Sequence, residues 1–160
     1  MPLDFPVQWD TGAPLPHLIH NDHQTFLAFR VREVDPDWDG SYTNVRSVAD
    51  AGELALVEFR QCLSVKMGSP NDEVASGHPL HGKGFRAYAA LRVENSSWIR
   101  ELETTNSVHH QYRPSAWKTL KHYILGFHDS TFECVAEGFS VETHSMRLTQ
   151  LLSKICARLE

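Results

Sequence analysis

His128 and Glu133 stand five residues apart in "FHDSTFECVAE", with Asp129 beside the histidine and Cys134 beside the glutamate. An imidazole and a carboxylate within reach of each other form an acid–base pair: the carboxylate orients the ring and the ring moves a proton. Reading "KHYILGFHDSTFECVAEGF" as two strands and a turn puts His122, Ile124, Gly126 and His128 on one face of the first strand. Glu133, Val135 and Glu137 share a face of the second. The apolar sets, with Tyr123, Leu125 and Phe127 on one strand and Phe132, Cys134 and Ala136 on the other, must share the core. A one-residue slip would bring Glu133 beside Phe127. A four-residue turn, Asp129-Ser130-Thr131-Phe132, then predicts His128 opposite Glu133, with Cβ atoms about 5 Å apart. Cys134 falls on the other face, which disfavours a Cys134–His128 nucleophile and base. His122 and His128 lie roughly 20 Å apart along one strand, too far to share a metal ion whose ligands sit within about 2 Å of it. The plainer reading of the pair is a solvated cross-strand contact contributing well under about 1 kcal/mol.

A second group with chemical potential is "SPNDEVASGHPLHGKGF", Ser69 to Phe85, with His78 and His81 three apart and three glycines. Long connections of this kind are enriched at binding sites, and two histidines could be half of a metal site or a second acid beside His128. No metal is assigned from the spacing alone. Gly82-Lys83-Gly84 lacks the rest of a phosphate-binding loop. "DPDWDGSYTNVR" places Asp35, Asp37, Asp39 and Gly40 as in a calcium loop, but Arg46 stands where a bidentate glutamate is needed, so a turn is expected. His109 and His110 follow a helix, where they suit its terminal carbonyls. His17, His20 and His23 are spaced as on a helix, but Pro16 and the strand that follows oppose one. No "HExxH", "CxxC" or "GxSxG" occurs, and nothing in the sequence names a cofactor.

The elements that must position these residues read as strands and helices in one α+β domain over residues 1–160. Period-two alternation runs through "TFLAFRVREV", "ELALVEFRQCLSVKM" and "FRAYAALRVE". With the strands around His128 it predicts an antiparallel sheet of about five or six strands, with helices on one face. Helices are expected in "NSSWIRELETTN", capped by serine, in "RPSAWKTL", and from about Ser145 onward. In the last, Met146, Leu148, Leu151, Leu152, Ile155, Cys156 and Leu159 form an apolar stripe. "SYTNVRSVADAG" suggests a short helix ended by Gly52. Residues 1–19 hold four prolines and read as an irregular arm packing through Phe5, Trp9 and Leu18. The polar strand faces bring Arg30, Arg32, Arg60, Arg86 and Arg92 to one side of a single sheet, where they would suit an anionic ligand or an acidic partner.

Composition narrows the classes. The chain of 160 residues is 41% hydrophobic and 22% charged, with a net charge of −5. No block of lysine and arginine suits a nucleic-acid backbone, and no apolar run approaches a membrane span. Three cysteines at wide spacing and an N-terminus without signal-peptide character fit a reducing, cytoplasmic setting. Ten histidines make the charge unusually sensitive to pH just below neutral. In general composition the chain resembles small acidic accessory proteins of bacteria, with no motif behind the resemblance. Two functions are expected from these residues. One is a binding protein for a small molecule or partner protein, using the polar sheet face and the 69–85 loop, with His78, His81, Arg60, Arg86 and Asp129 as ligand contacts. The other is an enzyme with His128 as general base oriented by Glu133, assisted by His78 or His81.

Overall fold

The computed structural model describes residues 1–34, 36–41 and 46–159. Among these, eight strands form two antiparallel four-stranded sheets. The first sheet, in the order β1-β2-β3-β8, holds β1 (His17–His20), β2 (Thr25–Arg30), β3 (Ala51–Arg60) and β8 (Gly138–Arg147). The second, in the order β4-β7-β6-β5, holds β4 (Ser64–Gly68), β7 (Thr131–Ala136), β6 (Lys121–Gly126) and β5 (Ala90–Val93). Helices α1 (Ser97–Asn106), α2 (Pro114–Trp117) and α3 (Leu148–Cys156) complete an α+β fold.

The sheets face one another across an apolar core. Leu27, Phe29, Val57 and Phe59 from the first meet Tyr123, Leu125, Phe127 and Phe132 from the second. The N-terminal arm closes one side: Trp9 is buried in this core, Phe5 and Leu18 pack against it, and isolated bridges tie Pro2 to Leu91 and Trp9 to Val31. On its other face the first sheet carries α3, whose Leu148, Leu151 and Ile155 cover Phe26, Ala28, Leu54 and Leu56. The second sheet's other face is covered by the segment 69–89, through Ala75 and Phe85 on Leu91 and Ile124.

Alternation alone cannot tell one sheet from two, because it records only that one face is more apolar than the other. The strands therefore divide between two sheets, and α3 and α1 lie on opposite sides of the pair. Every residue of β2 is buried, since Phe26 and Ala28 meet α3 while Leu27 and Phe29 meet the second sheet. The arginines share no single face. Arg30 is buried and its guanidinium donates to the carbonyls of Ser47 and Asp50 at 2.6 and 2.5 Å. Arg60 ends β3 with its guanidinium against Gly138. The expected strand from Phe85 shortens to β5, preceded by Tyr88 at a φ of 57°. Ser145 to Arg147 continue β8, and α3 begins at Leu148 with Leu152 half-buried and Cys156 exposed. Ala51 and Gly52 open β3 rather than closing a helix. Asp35, the first position of the calcium-like loop, and residues 42–45 of the suggested short helix lie outside the described residues. No helix among the described residues is long and apolar enough to cross a membrane.

The β6–β7 hairpin has the expected faces but a different register. Ile124, not His128, lies opposite Glu133, and Gly126 lies opposite Thr131. The Phe127 N–H donates to the Ser130 carbonyl at 2.8 Å, so the turn is His128-Asp129 alone. A four-residue turn would have put Phe132 in the loop; the shorter turn keeps it opposite Leu125, fully buried. Burying a phenylalanine side chain contributes about 1.5–3 kcal/mol, which outweighs the absence of a favoured primed-turn residue.

Candidate functional site

Alternation on β7 sends Cys134 into the core between the sheets and Glu133 out of the opposite face. There, the second sheet, the 69–89 segment and the start of α1 enclose a cleft of about 670 Å³. Glu133 forms part of its floor, flanked by two histidines. His122, from β6, places Nε2 at 2.8 Å from Glu133 Oε2. His78, from the 69–89 segment, places Nε2 at 3.5 Å from Oε1. Both imidazoles are almost wholly buried, and the carboxylate is 17% exposed.

Hydrogen bonding assigns the ring protons. The Leu80 backbone N–H donates to His78 Nδ1 at 3.1 Å, so that nitrogen is an acceptor and the proton sits on Nε2, facing Glu133. Ser96, which caps α1, accepts the Ile99 N–H at 3.2 Å on its Oγ. Its own hydroxyl proton is then free for His122 Nδ1, 2.9 Å away. His122 therefore also carries its proton on Nε2 and donates it to Glu133. Phe85 stacks on the His78 ring at 4.1 Å, and Trp98 meets the His122 ring edge-on at 5.1 Å. Burial pushes the Glu133 carboxyl up, but the bonds and charge of His122, then His78, outweigh it and hold the group below the usual glutamate value.

This polarity bears on metals. A histidine that binds a metal through Nε2 needs its proton on Nδ1, given to an acceptor. Here a backbone N–H and a serine hydroxyl occupy both Nδ1 atoms, so the two rings present N–H groups rather than lone pairs. Among the described residues no group of three histidine, cysteine, aspartate or glutamate side chains is arranged to hold a metal ion.

The cleft lining includes three exposed cations, Lys66, Lys83 and Arg100. Lys66 holds its ammonium 3.8 Å from the Trp98 ring centroid, and Arg100 donates to the Asn95 carbonyl at 2.8 Å. Of the two carboxylates lining the cleft, Glu133 is bonded to the histidines and Glu94 pairs with Arg92 at 2.8 Å.

Of the residues singled out in the sequence, the structure brings His78 to Glu133 in this cleft and places the others elsewhere. His128 sits in the hairpin turn with Nδ1 at 2.9 Å from Asp72 Oδ2 and 2.7 Å from the Tyr88 hydroxyl oxygen. Tyr88 in turn donates to Asp72 at 2.6 Å. Asp129 is exposed, with its carboxylate 3.9 Å from His128 Nε2. His81 is exposed on a 3-10 turn, His81–Lys83. Arg60 lies at the far end of β3, and Arg86 lines a separate cleft of about 620 Å³ beside the N-terminal arm. Sequence spacing missed His122 and Ser96. The face shared by His122 and Glu133 was the usable signal; the serine, 26 residues from its histidine, left none. The chain matches no protein-family model, no characterised protein and no solved structure.

Proposed function

We propose that the protein binds a small anionic molecule in the cleft between the 69–89 segment and α1. The observation that carries this reading is a reversal of local charge. The protein as a whole carries −5, yet three cations rim a cleft whose two carboxylates are already bonded. Fixed cations beside a low-dielectric wall concentrate anions, and the guanidinium of Arg100 adds a planar fork suited to carboxylate or phosphate. The volume suits a metabolite-sized ligand, for which pockets of about 300–1,000 Å³ are usual. A cytoplasmic setting belongs to the same reading, supported by three cysteines that form no disulfide.

Thermal melts with small dicarboxylates and phosphate esters, against their neutral analogues at matched ionic strength, test this. A ligand present at 100 times its Kd stabilises the folded state by about 2.7 kcal/mol, which reads as a rise of several degrees. The expected result is a rise with at least one anion class that disappears in the double variant Lys83→Ala/Arg100→Ala, whose side chains are exposed and whose fold is expected to persist. No rise beyond the salt control, or the same rise in the double variant, overturns the reading.

A further inference from the structure

The geometry points to a second property of this cleft: we propose that Ser96, His122 and Glu133 form a hydrolytic triad acting on small anionic esters, with Ser96 as nucleophile. The substrate class rests on the anion-binding reading above; the chemistry rests on the relay itself. Ser96 Oγ lies 2.9 Å from His122 Nδ1, and His122 Nε2 lies 2.8 Å from Glu133 Oε2. The hydroxyl thus faces the ring's lone pair, and the ring's N–H faces a carboxylate. This is the order nucleophile, base, orienting acid. The two ring nitrogens exchange their usual places, which leaves the proton path unchanged. His78 Nε2 lies 3.5 Å from the other oxygen of Glu133 and favours the orientation that faces His122. All four residues line the same cleft.

Ordinary helix capping accounts for one of the Ser96 contacts, the bond from the Ile99 N–H. It does not call for a buried histidine on the other side of the hydroxyl, nor for a carboxylate behind that histidine. The chain turns sharply at the serine, which is 6% exposed where it lines the cleft: β5 ends at Val93, Asn95 adopts a φ of 52°, and α1 starts at Ser97. The backbone N–H groups of Ser97 and Trp98, in the first turn of α1, have no intrahelical acceptor. They are the donors nearest in the chain to a charge developing beside Ser96.

In the reaction, Ser96 Oγ forms a bond to the ester carbonyl carbon while its proton passes to His122 Nδ1. The carbonyl π pair moves onto oxygen, where backbone N–H groups receive it. The intermediate collapses, the bond to the leaving alcohol breaks, and that alcohol takes the proton from His122 Nδ1. Water then attacks the acyl-serine, again giving a proton to His122. The acid departs and the proton returns to Ser96 Oγ. Glu133 is a positioning residue: it keeps the His122 proton on Nε2 and stabilises the imidazolium that forms.

The experiment treats the purified full chain with a fluorophosphonate probe, maps the adduct by mass spectrometry, and measures hydrolysis of p-nitrophenyl esters with and without a carboxylate on the acyl group. Ser96→Asn is the key variant, because asparagine caps a helix as well as serine does but offers no nucleophile. The expected result is an adduct on Ser96 and a fall in kcat/KM of about 1,000-fold or more in Ser96→Asn, with a native circular-dichroism spectrum. Ser153→Ala, on the remote α3, should keep full activity. Glu133→Gln should lower kcat with KM little changed, a split that a purely structural role would not give. Neither adduct nor ester turnover, or turnover that persists in Ser96→Asn, overturns the triad. Anion-induced stabilisation without labelling would leave the binding reading standing and remove the catalytic one. Labelling at Ser96 with no preference for anionic esters would do the reverse.

Discussion

His122 and Glu133 meet on a diagonal: their side chains bond at 2.8 Å although His122 lies opposite Val135 and Glu133 opposite Ile124. Diagonal neighbours on one face of an antiparallel pair stand about 7–8 Å apart at the backbone, within reach of long side chains. The offset turns the carboxylate toward the 69–89 segment and frees its second oxygen for His78.

Acid should unfold the protein partly through Glu133. The folded chain holds this carboxyl below its ordinary value of about 4.3, chiefly because the bonds from His122 and His78 overcome the effect of burial. The unfolded chain therefore binds the proton first. The stabilisation is fully present above about pH 4.3 and declines as pH falls toward the lower, folded value. Urea unfolding between pH 3 and pH 7 should show the wild type losing more stability on acidification than Glu133→Gln. Parallel pH profiles would show that the carboxylate is not held ionised.

At neutral pH the same substitution should destabilise by about 1–3 kcal/mol, because two buried ring N–H groups lose an ionised acceptor. Denaturant midpoints report it directly, and a midpoint equal to that of the wild type would mean that the contacts carry no net energy.

The two faces of α3 should separate cleanly. Leu151→Ala truncates a side chain buried against the first sheet and should cost about 2–5 kcal/mol. Leu152→Ala, at a half-buried position, should cost clearly less. Equal losses in guanidinium unfolding would place α3 differently on its sheet.

Gly126 is held by close backbone approach. A Cβ there would lie 3.1 Å from the Arg86 carbonyl oxygen and 3.2 Å from Ala87 Cα. The Tyr88 N–H and the Trp9 indole both donate to the Gly126 carbonyl, so this backbone has little room to retreat. Gly126→Ala should destabilise by about 1–3 kcal/mol. Gly77→Ala, where nothing lies within 4 Å of the added carbon, should stay within about 0.5 kcal/mol. A neutral Gly126→Ala would show that the 86–88 backbone yields freely.

Cys62 should be the more reactive thiol of the inner pair. The neighbouring Cys134 thiol lowers its pKa to about 7 against the opposing effect of burial, while burial pushes Cys134 up. In a Cys156→Ser background, iodoacetamide alkylation of Cys62 should rise with a midpoint near 7, moving toward the ordinary thiol value of about 8.5 in Cys134→Ala, which removes the donor. A midpoint unchanged by Cys134→Ala would remove the partner thiol as the cause.

Faces were more legible in the sequence than partners. Period-two spacing put Phe127, Phe132 and Cys134 in the core and Glu133 outside it, as found. It could not place the turn, because registers differing by an even number of residues leave every face unchanged. That freedom moved His128 from Glu133 to Asp72. The partners Asp72 and His78 come from a long segment whose path follows from Phe85 and Ala75 settling on Leu91 and Ile124, a packing event with no periodic signature. Cys156 and Leu159 extended the helical stripe in sequence, yet α3 ends at Cys156 and both residues are exposed, beyond the sheet they would have covered.

The pairing of β3 with β8, from Ala51 with Arg147 to Arg60 with Gly138, sets an order of assembly. The two strands enclose the whole second sheet between them in the chain, so their closure carries the entropy of a long loop until that sheet has condensed. The β6–β7 hairpin closes over two residues and carries no such delay. In pulsed hydrogen exchange during refolding, amides of β6 and β7 should gain protection ahead of those of β8, and simultaneous protection would argue for one concerted step. Until β8 arrives, β3 presents an unpaired edge ten residues long, so the refolding chain is most exposed to intermolecular strand pairing along β3.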